Sequence, residues 1–101
     1  MSASPTRIAV NGAAGRMGQR VCALLTEHDG ATLVAAIDRA PVNAYPTLHD
    51  DTAIDALIDF SSAHGAIEAA ALAEARRAAL LVCTTGLDQE ALHAIERASR
   101  T

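Results

Sequence analysis

Apolar positions along the chain change spacing repeatedly, and these changes predict strands and helices in alternation. Short continuous apolar runs, typical of strands buried in a parallel sheet, occupy residues 7–11, 32–38, 55–60 and 80–83. Residues 16–28 place apolar side chains at helical spacing, residues 64–78 are rich in helix-forming Ala, Glu and Arg, and another helix is predicted after residue 86. Residues 39–50 contain two prolines and are predicted to form a loop. The order β-α-β-loop-β-α-β-α predicts an α/β fold with a parallel sheet of about four strands, three helices and right-handed crossovers.

The composition supports one domain with a core of small aliphatic side chains. The chain has 101 residues, of which half are hydrophobic, with 24 alanines, one Tyr and one Phe. Such a core suits helices that pack closely on a sheet. We therefore interpret residues 1–101 as a single domain.

Charge and residue content argue against several classes of function. The formal net charge of −4 argues against a nucleic-acid partner or an anionic membrane. No apolar run is long enough to span a bilayer, and nothing near the N-terminus is typical of a secretory signal. Cys22 and Cys83 form no CxxC pair, so we expect two reduced thiols in a cytoplasmic protein. All eight basic residues are arginine. The absence of lysine excludes a Schiff-base enzyme and a Walker P-loop.

Three glycines at a spacing of three residues lie between the first predicted strand and the first predicted helix. Gly12 permits the tight turn off the strand, Gly15 leaves room for a pyrophosphate beside the backbone, and Gly18 lets the helix pack closely on the sheet. The helix N-terminus then presents N–H groups to the phosphates, and Arg16 is placed to add a charge-assisted contact. This context predicts a Rossmann-like dinucleotide site, with a pyrophosphate-binding turn made of Gly12, Ala13, Ala14, Gly15, Arg16 and Met17.

An acidic residue ends the second predicted strand. Asp38 follows Gly18 by 20 residues, and a carboxylate at this position accepts hydrogen bonds from the adenosine ribose, which favours NAD. Arg39, its neighbour, is placed to bind a 2′-phosphate or to stack on adenine. The alternative for Arg39 is a solvated loop arginine. The Asp-Arg pair predicts that both NADH and NADPH are accepted.

Four segments stand out when they are taken together: V-N-G-A-A-G-R-M-G at 10–18, A-I-D-R at 36–39, I-D-F-S at 58–61 and C-T-T-G-L-D at 83–88. They resemble the N-terminal domain of 4-hydroxy-tetrahydrodipicolinate reductase, also called dihydrodipicolinate reductase. The resemblance implies that Phe60 and Ser61 border the cofactor and that Thr84, Thr85 and Gly86 lie beside the nicotinamide ribose. Cys83 stands in the same loop, where family members often have glycine.

The resemblance also implies an activity and an assembly. Members of the family are oxidoreductases of lysine biosynthesis through diaminopimelate, and they use NADH or NADPH to reduce a cyclic imine-like substrate. Their catalytic segment, which carries a His-His pair, a lysine and a Ser-Gly-Thr run, follows this domain, and a C-terminal α+β domain supplies substrate binding and tetramer contacts. These motifs do not occur in residues 1–101. We therefore expect a cofactor-binding domain truncated before its catalytic and tetramerisation domain. We assign it no catalytic residue, expect no turnover by the chain alone, and expect a homo-oligomer.

Other interpretations remain open. The chain is alternatively a non-catalytic nucleotide-binding or redox-sensing module, or part of another NAD(P)-dependent oxidoreductase with a different partner domain. We expect no metal, and we expect the loop and strand-end aspartates to face solvent or to cap backbone groups, namely Asp50, Asp51, Asp55 and Asp59. We expect the isolated histidines to be structural or exposed, namely His28, His49, His64 and His93.

Two further expectations concern packing. Arg76 and Arg77 are predicted to lie on a solvated helix face. The fourth strand is predicted to form an apolar sheet edge that promotes self-association.

Overall fold

Four strands and three helices follow one another in the order that the sequence predicts. The computed structural model describes residues 5–40, 42, 44–84 and 89–98. Where both ends of an element were predicted, they lie within one or two residues of the prediction. None of the helices in these ranges is long and apolar enough to cross a membrane. The elements are β1 (Thr6–Asn11), α1 (Arg16–Glu27), β2 (Ala31–Ile37), β3 (Ala56–Asp59), α2 (Ala63–Arg76), β4 (Ala79–Val82) and α3 (Gln89–Ala98).

The strands form one parallel sheet in the order β2-β1-β3-β4. The chain adds β2 on one side of β1 and then β3 and β4 on the other, so the strand order reverses beside β1. The register places Asn11, the last residue of β1, between Ile37 of β2 and Asp59 of β3. Ligands of open α/β sheets bind outside the carboxyl ends of the strands at such a reversal. The topology therefore directs attention to this edge of the sheet.

Successive side chains of the strands face two separate cores. Ala9 and Leu57 pack with Ala69 of α2, whereas Val10 packs with Cys22 of α1. A third cluster, made of alanines, joins α3 to α2. Because these contacts are made mostly by small side chains, the helices pack close to the sheet and to each other.

Helix α1 contacts the sheet through its smallest residues. Gly18 and Cys22 are buried, whereas Met17 and Leu24 are 55% and 58% exposed. The apolar spacing therefore predicted the helix correctly and marked its packing face in part, because Val21 and Leu25 also pack against this core. A glycine and a cysteine carry little hydrophobic signal, yet they allow the closest approach to the strands.

Helix α2 has a defined cap at each end. The Ser62 side chain accepts the Gly65 N–H at 3.1 Å at its N-terminus, and Arg77 adopts a left-handed conformation, with a φ of 52°, at its C-terminus. The expectation that Arg76 lies on a solvated face is wrong. Its guanidinium is half-buried and donates to the backbone oxygens of Thr52 and His49, which holds the segment before β3 against the helix.

The amino-terminal edge of the sheet is closed by an ion pair between Arg7 and Asp55. Asp55 Oδ2 accepts the Arg7 backbone N–H at 2.7 Å and the side-chain Nε at 3.0 Å, while Oδ1 accepts from Nη2 at 2.8 Å. The hydrogen bonds from the Arg7 side chain, and then the one from its backbone, lower the pKa of Asp55 to about 2. This exposed pair lies at the amino-terminal ends of β1 and β3, opposite the carboxyl ends where the strand order reverses.

Candidate nucleotide-binding site

The glycine-rich turn lies at the carboxyl end of β1, and two of its glycines are required by packing. Gly12 has a φ of +79°, and a Cβ there would lie 2.8 Å from the Phe60 carbonyl carbon. A Cβ on Gly18 would overlap the Gly12 carbonyl oxygen. Gly15 differs, because its Cβ would meet only the Gly12 oxygen, at the ordinary distance of 3.4 Å. The fold therefore has room for a side chain at Gly15, and packing does not explain why a glycine stands there.

The backbone N–H groups of the turn divide into two sets. Gly12 and Ala13 both donate to the Ile37 oxygen, at 2.9 and 3.0 Å, and Gly15 donates to Gly12 at 3.2 Å. Helix α1 begins after Gly15, which provides no side-chain cap. Because the earlier N–H groups have partners within the protein, the first-turn N–H groups of Arg16 and Met17 are the donors that this end of the helix offers to an anion.

Asp38 is the predicted acidic residue, and it ties the end of β2 to the turn. Its Oδ2 accepts the Ala14 N–H at 2.8 Å, and its Oδ1 accepts the Arg39 N–H at 2.8 Å. The side chain is exposed. Each carboxylate oxygen retains acceptor capacity beyond these bonds. Asp38 therefore shapes the turn and still presents acceptors to solvent.

A cavity of about 360 Å³ opens beside Asp38 and extends over the first turns of α2. Its polar and charged lining residues are Asn11, Asp38, Arg39, Ser61, Ser62, His64 and Glu68. His64 Nε2 lies 3.7 Å from a Glu68 carboxylate oxygen. The floor of the cavity includes the apolar side chains of Ile37, Leu48 and Leu72. The cavity thus combines an apolar floor with charged walls, as sites for ring-containing ligands commonly do.

Asp59 is fully buried, so it does not face solvent, but it does cap a backbone group, the Ser61 N–H, as one of the two expectations for it allowed. Its Oδ1 accepts from Asn11 Nδ2 at 3.0 Å, from Ser61 Oγ at 2.5 Å and from Ser61 N at 3.3 Å. Its Oδ2 accepts from Thr84 Oγ1 at 2.6 Å. Four donors compensate for the loss of water around this carboxylate. The residues of this network, Asn11, Asp59, Ser61 and Thr84, are called the Asp59 network below.

The residues expected beside the nicotinamide lie at the ends of β3 and β4. Phe60 is half-buried, packs against the α1-side core and donates its N–H to Asn11 at 2.9 Å. Cys83 is exposed, and its N–H donates to the Asp59 carbonyl oxygen at 2.8 Å. Ser61 and Thr84 belong to the Asp59 network. The expected contacts of Thr85 and Gly86 fall outside the described residues.

Two residues at the carboxyl ends of the strands, Asn11 and Asp59, were not predicted from the sequence to belong to the site. Asn11 was interpreted as an ordinary strand end, and Asp59 as a surface carboxylate. A signal was available for both, because each is a polar residue at the end of an otherwise apolar strand. The four histidines are exposed, in agreement with expectation. Among the described residues, no three His, Cys, Asp or Glu side chains gather as metal ligands would.

The fold and the glycine-rich turn together define a Rossmann-like α/β domain. Comparison with known families identifies it further: the family described as dihydrodipicolinate reductase, N-terminus, matches residues 6–101. The chain belongs to this family, which confirms the resemblance seen in the four sequence segments.

Individual relatives agree with this assignment. The 4-hydroxy-tetrahydrodipicolinate reductase of Stenotrophomonas maltophilia (strain K279a) is 34% identical over 110 residues, an alignment that covers 98% of this chain and 46% of the relative. The enzyme of the same name from Dehalococcoides mccartyi (strain CBDB1) is 28% identical over 114 residues, covering 97% of this chain and 43% of the relative. The chain thus spans less than half the length of these relatives.

A solved structure supports the fold. The dipicolinate-bound dihydrodipicolinate reductase from Paenisporosarcina sp. TG-14 superposes with a TM-score of 0.69 and 18% sequence identity, covering 95% of this chain and 43% of that one. At this identity the likeness concerns the Rossmann-like arrangement of strands and helices.

Proposed function

We propose that the chain is the part of a 4-hydroxy-tetrahydrodipicolinate reductase that binds NADH or NADPH, in lysine biosynthesis through diaminopimelate. The observation that carries this proposal is the pairing of two features across the turn. The N–H groups of Arg16 and Met17 are available beside the unused space at Gly15. The Asp38 carboxylate is fixed on the other side by the Ala14 N–H. Donors for a pyrophosphate and acceptors for a ribose are thereby held side by side.

The pyrophosphate is placed over Gly15, where a backbone without a side chain permits close approach. The N–H groups of Arg16 and Met17 donate to its oxygens, and the positive end of the α1 dipole adds to their attraction. The exposed Arg16 side chain supplies a charge-assisted contact. Gly12, Ala13 and Ala14 contribute by shaping the turn, since their N–H groups are bonded to Ile37 and Asp38.

The adenosine is placed in the cavity beside Asp38 and Arg39. Asp38 accepts from the ribose hydroxyls, and the apolar floor of the cavity receives the base. Arg39 stacks on the adenine or pairs with a 2′-phosphate, so we propose that both NADH and NADPH bind. The Asp38 carboxylate repels a 2′-phosphate and the Arg39 guanidinium attracts it. We therefore expect the affinities for NADH and NADPH to lie within about a hundredfold of each other.

The nicotinamide end is placed at the ends of β3 and β4, beside Phe60, Ser61, Cys83 and Thr84, with Thr85 as a further expected contact. The reduced nicotinamide, when bound, supplies the hydride. We propose that the longer protein uses this hydride to reduce a cyclic imine-like substrate and that it assembles as a homo-oligomer. Its location is proposed to be the cytoplasm, in keeping with the free thiols of Cys22 and Cys83.

A binding titration beside a reductase assay tests the proposal. The chain is titrated with NADH and with NADPH by calorimetry, and each mixture is then assayed with 4-hydroxy-tetrahydrodipicolinate. Saturable binding of both cofactors with no turnover by the 101-residue chain is expected. Absence of binding at millimolar cofactor would contradict the proposed cofactor site. Turnover by this chain alone would show instead that it carries catalytic groups that its motifs do not reveal.

A further inference from the structure

The Asp59 network joins three strand ends at the site through one buried carboxylate. Asn11 ends β1, Ser61 follows β3, and Thr84 follows β4. All three donate side-chain hydrogen bonds to Asp59, at 3.0, 2.5 and 2.6 Å respectively. In every bond of this group Asp59 is the acceptor, and its Oδ1 accepts two N–H donors, from the Asn11 amide and the Ser61 backbone, beside the Ser61 hydroxyl, so the direction of the bonds is set by Asp59.

The consequence concerns the hydroxyl protons. A serine or threonine hydroxyl has one proton to donate, and here the protons of Ser61 and Thr84 point at Asp59. Ser61 Oγ also lies 3.4 Å from the Ser62 carbonyl oxygen. The hydrogen bond to Asp59, at 2.5 Å, is much shorter and therefore takes the hydroxyl proton. Ser61 Oγ in addition accepts a long hydrogen bond from Asn11 Nδ2, at 3.4 Å, so what the two hydroxyls can still offer a ligand is lone pairs only.

The side chain of Ser61 is held in place from its other side. A Cβ on Gly65 would overlap the Ser61 hydroxyl, so the absence of a side chain at Gly65 makes room for it. Asn11 Nδ2 donates to the Gly65 carbonyl oxygen at 3.1 Å as well as to Asp59. Two acceptors at these distances also fix which end of the Asn11 amide points into the network. The start of α2 is thus connected to the same carboxylate.

We propose that Asp59 is a positioning residue that fixes the hydroxyls of Ser61 and Thr84 as acceptors for the nicotinamide riboside half of the cofactor. This inference rests on the proposed cofactor site. It divides the edge of the sheet into two parts of opposite character. The N-terminus of α1 offers donors, which suit phosphate, whereas the ends of β3 and β4 offer acceptors, which suit ribose hydroxyls and a carboxamide NH₂. The second part recognises a neutral or cationic hydrogen-bond donor and disfavours a phosphate.

The test compares NADH with ADP, which contains the adenosine and the pyrophosphate but lacks the nicotinamide riboside. In the full chain, Asp59→Asn preserves the shape of the side chain but places an NH₂ against hydroxyls that must then turn. The dissociation constant for NADH is expected to rise about tenfold, with that for ADP changed less than about twofold. An equal change for both ligands would mean that Asp59 only supports the fold, and would overturn the inference.

Two further variants keep the inference testable if Asp59→Asn does not fold. Thr84→Val removes the hydroxyl at nearly constant shape and is expected to weaken NADH selectively, whereas Thr84→Ser retains the hydroxyl and is expected to preserve NADH affinity. Loss of NADH affinity in Thr84→Ser equal to that in Thr84→Val would also overturn the inference.

Asp55→Asn is the matched control, because Asp55 adjoins the opposite end of the same strand and its carboxylate pairs with Arg7. It is expected to leave both affinities unchanged. The wild-type chain separates the two proposals. If it binds neither ADP nor NADH, the proposed function fails. If it binds both with equal affinity, the cofactor site stands but the acceptor role of the Asp59 network does not.

Discussion

Asp38 accepts the backbone N–H of Ala14 at 2.8 Å, so the acidic residue at the end of β2 is part of the glycine-rich turn at the end of β1. The two residues are 24 positions apart in the sequence. This bond keeps the carboxylate from turning away into solvent and orients its remaining lone pairs. A residue that is expected to select the cofactor is thus held in place before any cofactor arrives.

The first prediction concerns cofactor preference. Asp38→Asn retains one oxygen to accept the Ala14 N–H but removes the charge and one acceptor. The dissociation constant for NADH is expected to rise about tenfold, and that for NADPH to change less, because the repulsion of the 2′-phosphate is also removed. Calorimetric titrations with both cofactors measure the ratio. Asp29→Asn, an exposed aspartate in the turn before β2, is the control. A larger loss for NADPH than for NADH would contradict the assignment of Asp38.

The second prediction separates the roles of two glycines. Gly18→Ala forces a methyl group against the Gly12 carbonyl oxygen and is expected to cost about 1–3 kcal/mol of unfolding free energy. Gly15→Ala meets only an ordinary contact and has a φ of −74°, so its effect on stability is expected to stay below about 1 kcal/mol. NADH affinity is nevertheless expected to fall in Gly15→Ala, because the methyl group occupies the proposed phosphate position.

Denaturant unfolding and NADH titration of both glycine variants check this prediction. The informative result is a stable Gly15→Ala protein that binds NADH weakly. Wild-type affinity in that variant would mean that the pyrophosphate lies elsewhere.

The third prediction concerns pH and the Arg7–Asp55 pair. The pKa of Asp55 is lowered from its ordinary value of 3.8 to about 2, so its ionised form favours the folded state. The stabilisation is fully present above the ordinary carboxyl range and is lost as the pH falls through about 2. At about pH 6 the wild type is expected to have a higher melting temperature than Asp55→Asn. This difference in melting temperature is expected to shrink toward zero at about pH 2. Thermal melts of both proteins across this range measure the difference. A gap that does not change with pH would show that the pair does not contribute through its charge.

The fourth prediction concerns the outer edge of the sheet. Within the described residues β4 pairs only with β3, and Leu81 is 57% exposed. Unpaired backbone groups beside apolar side chains favour pairing with a second copy. The 101-residue chain is therefore expected to self-associate in sedimentation experiments as its concentration rises, and Leu81→Lys is expected to reduce this. A monomer at all concentrations would contradict the expectation.

The sequence predicted features that depend on neighbours along the chain. Gly12 and Gly18 were assigned correct conformational roles, because a turn between a strand and a helix imposes the same demands wherever it occurs. The order of elements followed from apolar spacing for the same reason.

Features that depend on distant segments were not predicted. Asp59 is buried where Asn11, 48 residues earlier, and Thr84, 25 residues later, donate to it from adjacent strand ends. The contact that Cys22 of α1 makes with the sheet was not predicted, because it depends on small size rather than on marked hydrophobicity. The charge on Arg76 suggested a solvated position, whereas its long side chain reaches backbone oxygens of the segment before β3.

The position of the cofactor is tested most directly by following the backbone amide signals of the ¹⁵N-labelled chain during titration with NADH. The largest shifts are predicted for the amides of Arg16 and Met17 and for Asp38 and Arg39. The amide signals of Arg7 and Asp55, at the opposite end of the sheet, are predicted not to shift. Saturating shifts confined to the Arg7–Asp55 edge, or no shifts at millimolar NADH, would contradict a dinucleotide site at the glycine-rich turn.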